Sequence, residues 1–126
     1  MPFYKLSNKE KQVMIVLWNS PNALTGSDIC KVDKNLNVNT VQASLTKLLK
    51  NKFIEVNDIV YSGTVLAREY KPLITMDDYA AMQIKDYYNS CSKKESISNI
   101  VNYFLNQEDQ EDNLLDELQK IIDSKK

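Results

Sequence analysis

Apolar residues along this chain recur at helical spacing, then at strand spacing, then at helical spacing again. Across residues 7–19, Val13, Met14, Leu17 and Trp18 share one helical face. Ser7-Asn8-Lys9-Glu10 ahead of them is a capping-box pattern, with Leu6 before the cap, and Pro21 ends the helix. A second short helix is predicted from about Ser27, with Ile29, Cys30 and Val32 inward. The polar turn Asp33-Lys34-Asn35-Leu36 follows, and Asn37 or Asn39 caps a third helix reaching Lys50. Its stripe is Val41, Leu45, Leu48 and Leu49, at i, i+4, i+7 and i+8. After Asn51 the pattern turns to strand-type residues. Phe53, Ile54, Val56, Ile59, Val60 and Tyr61 lead to a Ser62-Gly63-Thr64 turn, and Val65, Leu66 and Tyr70 run on to Pro72. Three helices and then a hairpin is the winged helix-turn-helix order, in which the third helix enters the major groove of DNA.

Beyond Pro72 three amphipathic helices are predicted, over 76–90, 96–106 and 110–124, the first capped within Thr75-Met76-Asp77-Asp78. Their apolar positions include Met76, Tyr79, Ala80, Ile84, Tyr87 and Tyr88 in the first and Ile97, Ile100, Val101, Phe104 and Leu105 in the second. In the third they are Leu114, Leu115, Leu118, Ile121 and Ile122. So short a segment cannot bury three stripes by itself. The economical solution is a symmetric homodimer with interlocked helices, and the alternative is that the helices pack back on the first part. The expected fold is therefore mostly α with a small β-hairpin. Residues 1–72 form a winged-helix DNA-binding domain and 73–126 an α-helical dimerisation domain. The expected dimer contacts are Tyr79, Ile84, Tyr87, Ile97, Ile100, Val101, Phe104, Leu114, Leu115, Leu118, Ile121 and Ile122.

The third helix has two chemically different faces. Opposite the apolar stripe lie Asn39, Thr40, Gln42, Ala43, Thr46, Lys47 and Lys50, without one acidic residue. A solvated face ordinarily mixes both signs of charge, and incidental polarity is the bland alternative. Hydrogen-bonding side chains with lysines at one end suit base edges and phosphates. Thr40, Gln42 and Ala43 are the candidates for base edges; Lys47, Lys50 and Lys52 are the candidates for phosphates. On the hairpin, Ser62, Thr64 and Arg68 are candidate backbone contacts, though Arg68 equally fits an ordinary exposed strand position. Net charge is −1 over 126 residues, which alone argues against a nucleic-acid binder. Residues 1–71 nevertheless hold 10 Lys/Arg against 6 Asp/Glu, and residues 72–126 hold 6 against 11. A basic binding head with an acidic partner-facing tail gives that asymmetry, as chance also could.

Other chemistry finds little support. There is no His, and the two cysteines, Cys30 and Cys91, form no CxxC, so neither a zinc site nor any cofactor is expected. Adjacent carboxylates such as Asp77-Asp78 sit at helix starts, where negative charge is favourable. With two glycines there is no phosphate-cradling loop, and no enzyme activity is expected. Met1-Pro2-Phe3-Tyr4-Lys5 lacks the pattern of a signal peptide, and no apolar run reaches membrane-spanning length. A cytoplasmic protein without membrane insertion is expected.

Three stretches resemble the penicillinase-repressor family of bacterial transcription factors, the beta-lactamase and methicillin-resistance repressors. They are Leu6-Ser7 with Val13-Met14 and Leu17-Trp18; Asn39-Thr40-Val41 with Leu45-Thr46-Lys47-Leu48 and Lys50; and Tyr70-Lys71-Pro72-Leu73-Ile74-Thr75 with Tyr79. The resemblance implies a homodimeric repressor on a palindromic double-stranded DNA operator. It also implies inactivation by proteolysis, here at Asn102-Tyr103, with a membrane-bound sensor protease as partner. The paired CxC motifs of the family's copper-responsive branch are absent. This chain has Asn39 and Gln42 where the family usually has Lys or Arg, which implies weaker non-specific binding and a smaller salt dependence. The alternative reading is a winged-helix protein-protein interaction module without specific DNA binding.

Overall fold

The computed structural model describes residues 4–90, 97–107 and 111–125. The element order is α1 (Asn8–Asn19), β1 (Leu24–Thr25), α2 (Gly26–Val32), α3 (Val38–Lys50), β2 (Ile54–Ser62), β3 (Val65–Pro72), α4 (Met76–Ser90), α5 (Ile97–Gln107) and α6 (Glu111–Lys125). The chain divides into two compact units, Met1–Tyr87 and Tyr88–Lys126.

In the first unit, polar side chains set where each helix begins. The expected box at α1 is formed: Ser7 Oγ accepts from the Glu10 amide at 3.2 Å, and Glu10 Oε1 accepts from the Ser7 amide at 2.9 Å. Thr25 and Asp28 make a second box at α2, each accepting from the other's amide at 3.1 Å. That box starts α2 at Gly26, just ahead of the expected Ser27; with Asp rather than Glu or Gln at its third position the pattern is less visible in sequence. At α3 the cap is Asn37, whose Oδ1 accepts from the Thr40 amide at 2.8 Å.

The apolar faces then meet in one core. Val13, Met14, Val16 and Leu17 of α1, Ile29 of α2 and Val41, Leu45 and Leu48 of α3 are buried together with Phe53, Ile54 and Tyr70. One expectation is corrected. Val32 is 65% exposed, because α2 ends there at the Asp33 cap and turns only Ile29 fully inward among its large side chains. Leu49 of the expected stripe is half-buried and packs against this core, and Ser44 is buried beside it.

The sheet has three antiparallel strands in the order β1-β3-β2, where the sequence pattern gave only the hairpin. Leu24 and Thr25 pair with Tyr70 and Glu69, and two residues are too few to display a strand period. The hairpin closes at the Ser62–Val65 pair, with Gly63 in the left-handed region at φ 68°. An irregularity between Val56 and Asp58 shifts its register.

The first unit extends past the expected boundary at residue 72. Thr75 caps α4 by accepting from the Asp78 amide at 3.0 Å. One turn later Tyr79 is buried among Leu6, Trp18 and Phe53, and its hydroxyl accepts from the Leu6 amide at 3.0 Å. Tyr79, expected at a dimer interface, is therefore a core residue of its own unit. Trp18 adds a second tie, donating from Nε1 to the Ile74 carbonyl at 2.8 Å.

The second unit contains α5 and α6, which touch each other. Tyr103 and Phe104 stand edge-to-face at 6.2 Å and both are exposed, as are Ile121 and Ile122. Val101 and Leu118 are half-buried. On α4, Ile84 is half-buried and Tyr87 exposed. The expected contacts Ile97, Ile100, Leu114 and Leu115 have side chains outside the described residues, as does Leu105.

Candidate nucleic-acid interface

The core fixes which side of α3 faces outward. Because Val41, Ser44, Leu45 and Leu48 are buried, the opposite side carries Asn39, Gln42, Ala43, Thr46, Lys47 and Lys50, all exposed. Thr40 is half-buried at the edge of this surface. Thr46 donates its hydroxyl proton to the Gln42 carbonyl at 2.9 Å, which leaves its methyl and oxygen lone pairs for outside contact. Asn51 Nδ2 similarly donates to the Lys47 carbonyl at 2.9 Å.

The lysines differ in their surroundings. Glu10 is buried, and burial pushes its carboxyl up. The hydrogen bond from the Ser7 amide, that from the Tyr4 hydroxyl at 2.8 Å and the Lys47 charge outweigh burial and hold it below the ordinary 4.5. Lys47 is thus close enough to Glu10 to share its field. Lys50 is exposed in the last turn of α3. Lys52 follows the end of α3 in the left-handed region at φ 62°. There the Phe53 amide donates to the Leu48 carbonyl at 2.9 Å and the Lys52 amide to Leu49 at 3.1 Å, a Schellman ending.

Between α3 and the hairpin lies an open groove of about 810 Å³. Gln42, Thr46 and Leu49 line one side, Ser62, Leu66 and Arg68 the other. Arg68 is exposed and opposite Ile59 in the strand register. Lys71 instead pairs with Glu55 at 3.1 Å across the strands. Ile59, Tyr61, Val65 and Leu66 are exposed, so this wing is more apolar than cationic. Sequence reasoning missed the part played by Gly26, which lines the same groove and on which Gln42 rests. That contact joins two helices, and only the folded chain reveals it. Among the described residues no group of His, Cys, Asp and Glu could hold a metal ion, and no helix is long and apolar enough to cross a membrane.

Three helices, a small antiparallel sheet and an outward third helix define a winged helix-turn-helix protein. The sequence profile of the penicillinase repressor family matches residues 6–124, nearly the whole chain. The chain belongs to that family, which is one of transcriptional repressors rather than enzymes. A search of curated proteins found none that matches.

Proposed function

We propose that this protein is a sequence-specific transcriptional repressor that binds a palindromic operator as a homodimer in the cytoplasm. The observation that carries the reading is the acid-free outer face of α3 within a repressor-family fold. In this reading residues 1–72, with the start of α4 packed on them through Tyr79, are the DNA-binding head, and the helices beyond supply dimerisation. Asn39, Thr40, Gln42 and Ala43 meet base edges, Thr46 flanks them, Lys47 and Lys50 meet phosphates, and Arg68 contacts the backbone from the wing. Exposed Tyr87, Tyr103, Phe104, Ile121 and Ile122 are available to a second copy. Proteolysis by a sensor protease would cut Asn102-Tyr103, which lies within α5, so the helix must open locally first.

Electrophoretic mobility shifts with palindromic promoter DNA over a salt series test this reading. The expected result is a specific complex whose affinity falls with salt, with Lys50→Ala reducing the slope by about 1. Absence of any specific complex down to low ionic strength refutes it. The exposed apolar wing residues Ile59, Tyr61, Val65 and Leu66 favour a second reading, a winged-helix protein-interaction module. That reading predicts no sequence preference in the same experiment.

A further inference from the structure

A Cβ built on Gly26 would lie 2.6 Å from Nε2 of Gln42 and 3.7 Å from its Cδ. The Gln42 carboxamide therefore occupies space that any other residue at position 26 would fill. Gly26 is buried and is the first residue of α2, and its φ is not positive, so its backbone does not require glycine. What the missing side chain provides is room. Gln42 rests there at the rim of the α3–wing groove, and no protein group among the described residues hydrogen-bonds its carboxamide. A carboxamide that lies against Gly26 with no hydrogen bond spent among the described residues can bond a planar partner with complementary edges. Adenine offers that edge in the major groove, an N6 donor beside an N7 acceptor. Ala43 and the Thr46 methyl on the same surface suit a neighbouring thymine methyl.

We propose that Gly26 is a positioning residue for base recognition, holding Gln42 to read an adenine in each operator half-site. This inference rests on the DNA-binding reading above. Other contacts of Gly26 would be little affected by a methyl, since the next atom, Leu45 Cδ1, lies at 3.5 Å, an ordinary contact distance. Gly26→Ala should thus expel the Gln42 tip while leaving the fold intact, with a melting temperature unchanged or raised.

The test is selection from a random-sequence duplex library with the full chain, Gly26→Ala, Gln42→Ala and the double variant. The expected outcome is that wild type enriches a palindrome with an adenine in each half-site. Each single variant then loses preference at that symmetric pair, roughly ten- to a hundred-fold, while other positions keep theirs. The double variant loses no more than either single one. A uniform loss across all positions would mark Gly26 as merely structural and overturn the inference. Retention of the Gln42-dependent preference by Gly26→Ala, or loss at a guanine instead, overturns it while the DNA reading stands. Enrichment of nothing by wild type refutes both. If Gly26→Ala does not fold, the nuclear Overhauser effect between the Gln42 side-chain amide and the Gly26 α protons in wild type decides. It is expected to be present, and its absence overturns the inference.

Discussion

Replacing Tyr79 by Phe removes one oxygen from the core of the first unit and nothing else. The ring keeps its place 5.9 Å from Phe53 and 6.1 Å from Trp18, so no cavity opens. The Leu6 amide, buried directly ahead of the α1 cap, loses the acceptor it meets at 3.0 Å. A buried donor without a partner carries its full desolvation penalty, about 1–3 kcal/mol. For a unit of this size each kcal/mol lowers the melting temperature by about 4–8 °C. The single tryptophan, Trp18, touches the substituted ring and is a natural probe for urea unfolding. The midpoint should fall with an unchanged slope, because both proteins expose the same surface on unfolding. Tyr70→Phe is the control: Tyr70 is equally buried, but its hydroxyl makes no protein hydrogen bond among the described residues. A Tyr79→Phe cost no greater than that of Tyr70→Phe, or below about 0.5 kcal/mol, refutes the claim that this hydroxyl ties α4 to the start of α1.

Lys52→Gly should raise stability by about 1 kcal/mol, since a non-glycine residue holds the left-handed position of the Schellman ending; chemical denaturation reads the sign. Glu10→Gln should lower stability near neutral pH. The folded carboxyl titrates below its ordinary 4.5, so its contribution is full above that value and is lost as pH falls through the lower folded one. The gap between wild type and Glu10→Gln should therefore narrow on acidification below about pH 4.5, and a gap that widens contradicts the assigned hydrogen bonds. Phe104→Glu, at an exposed apolar site on α5, should shift a dimer toward monomer in sedimentation equilibrium without loss of helical signal from the first unit.

The features legible in the sequence were those governed by local chemistry. The Ser7 box, the Asn37 cap and the Val41–Leu45–Leu48 stripe each depend on residues within one or two turns, so their spacing is their physics. Strand β1 was not legible, because its pairing with Tyr70 and Glu69 joins segments far apart in the chain and leaves no period of its own. Tyr79 was misread for a related reason. An apolar residue on an amphipathic helix states that it will be buried, but not by which partner, and here the partners are Leu6, Trp18 and Phe53 of its own unit. The outer face of α3 divides along the same line. Its polarity and its lack of acids are local facts, whereas the differences among its members come from neighbours on other elements. Lys47 feels Glu10 of α1, Gln42 rests on Gly26 of α2, and Lys50 borders a cavity shared with Tyr4, Phe53 and Ile74. Side chains that look equivalent on a helical wheel thus have unequal surroundings. Under the proposed reading, Gln42, whose carboxamide rests on Gly26, is the one whose substitution should alter which sequence is bound rather than how tightly DNA is held.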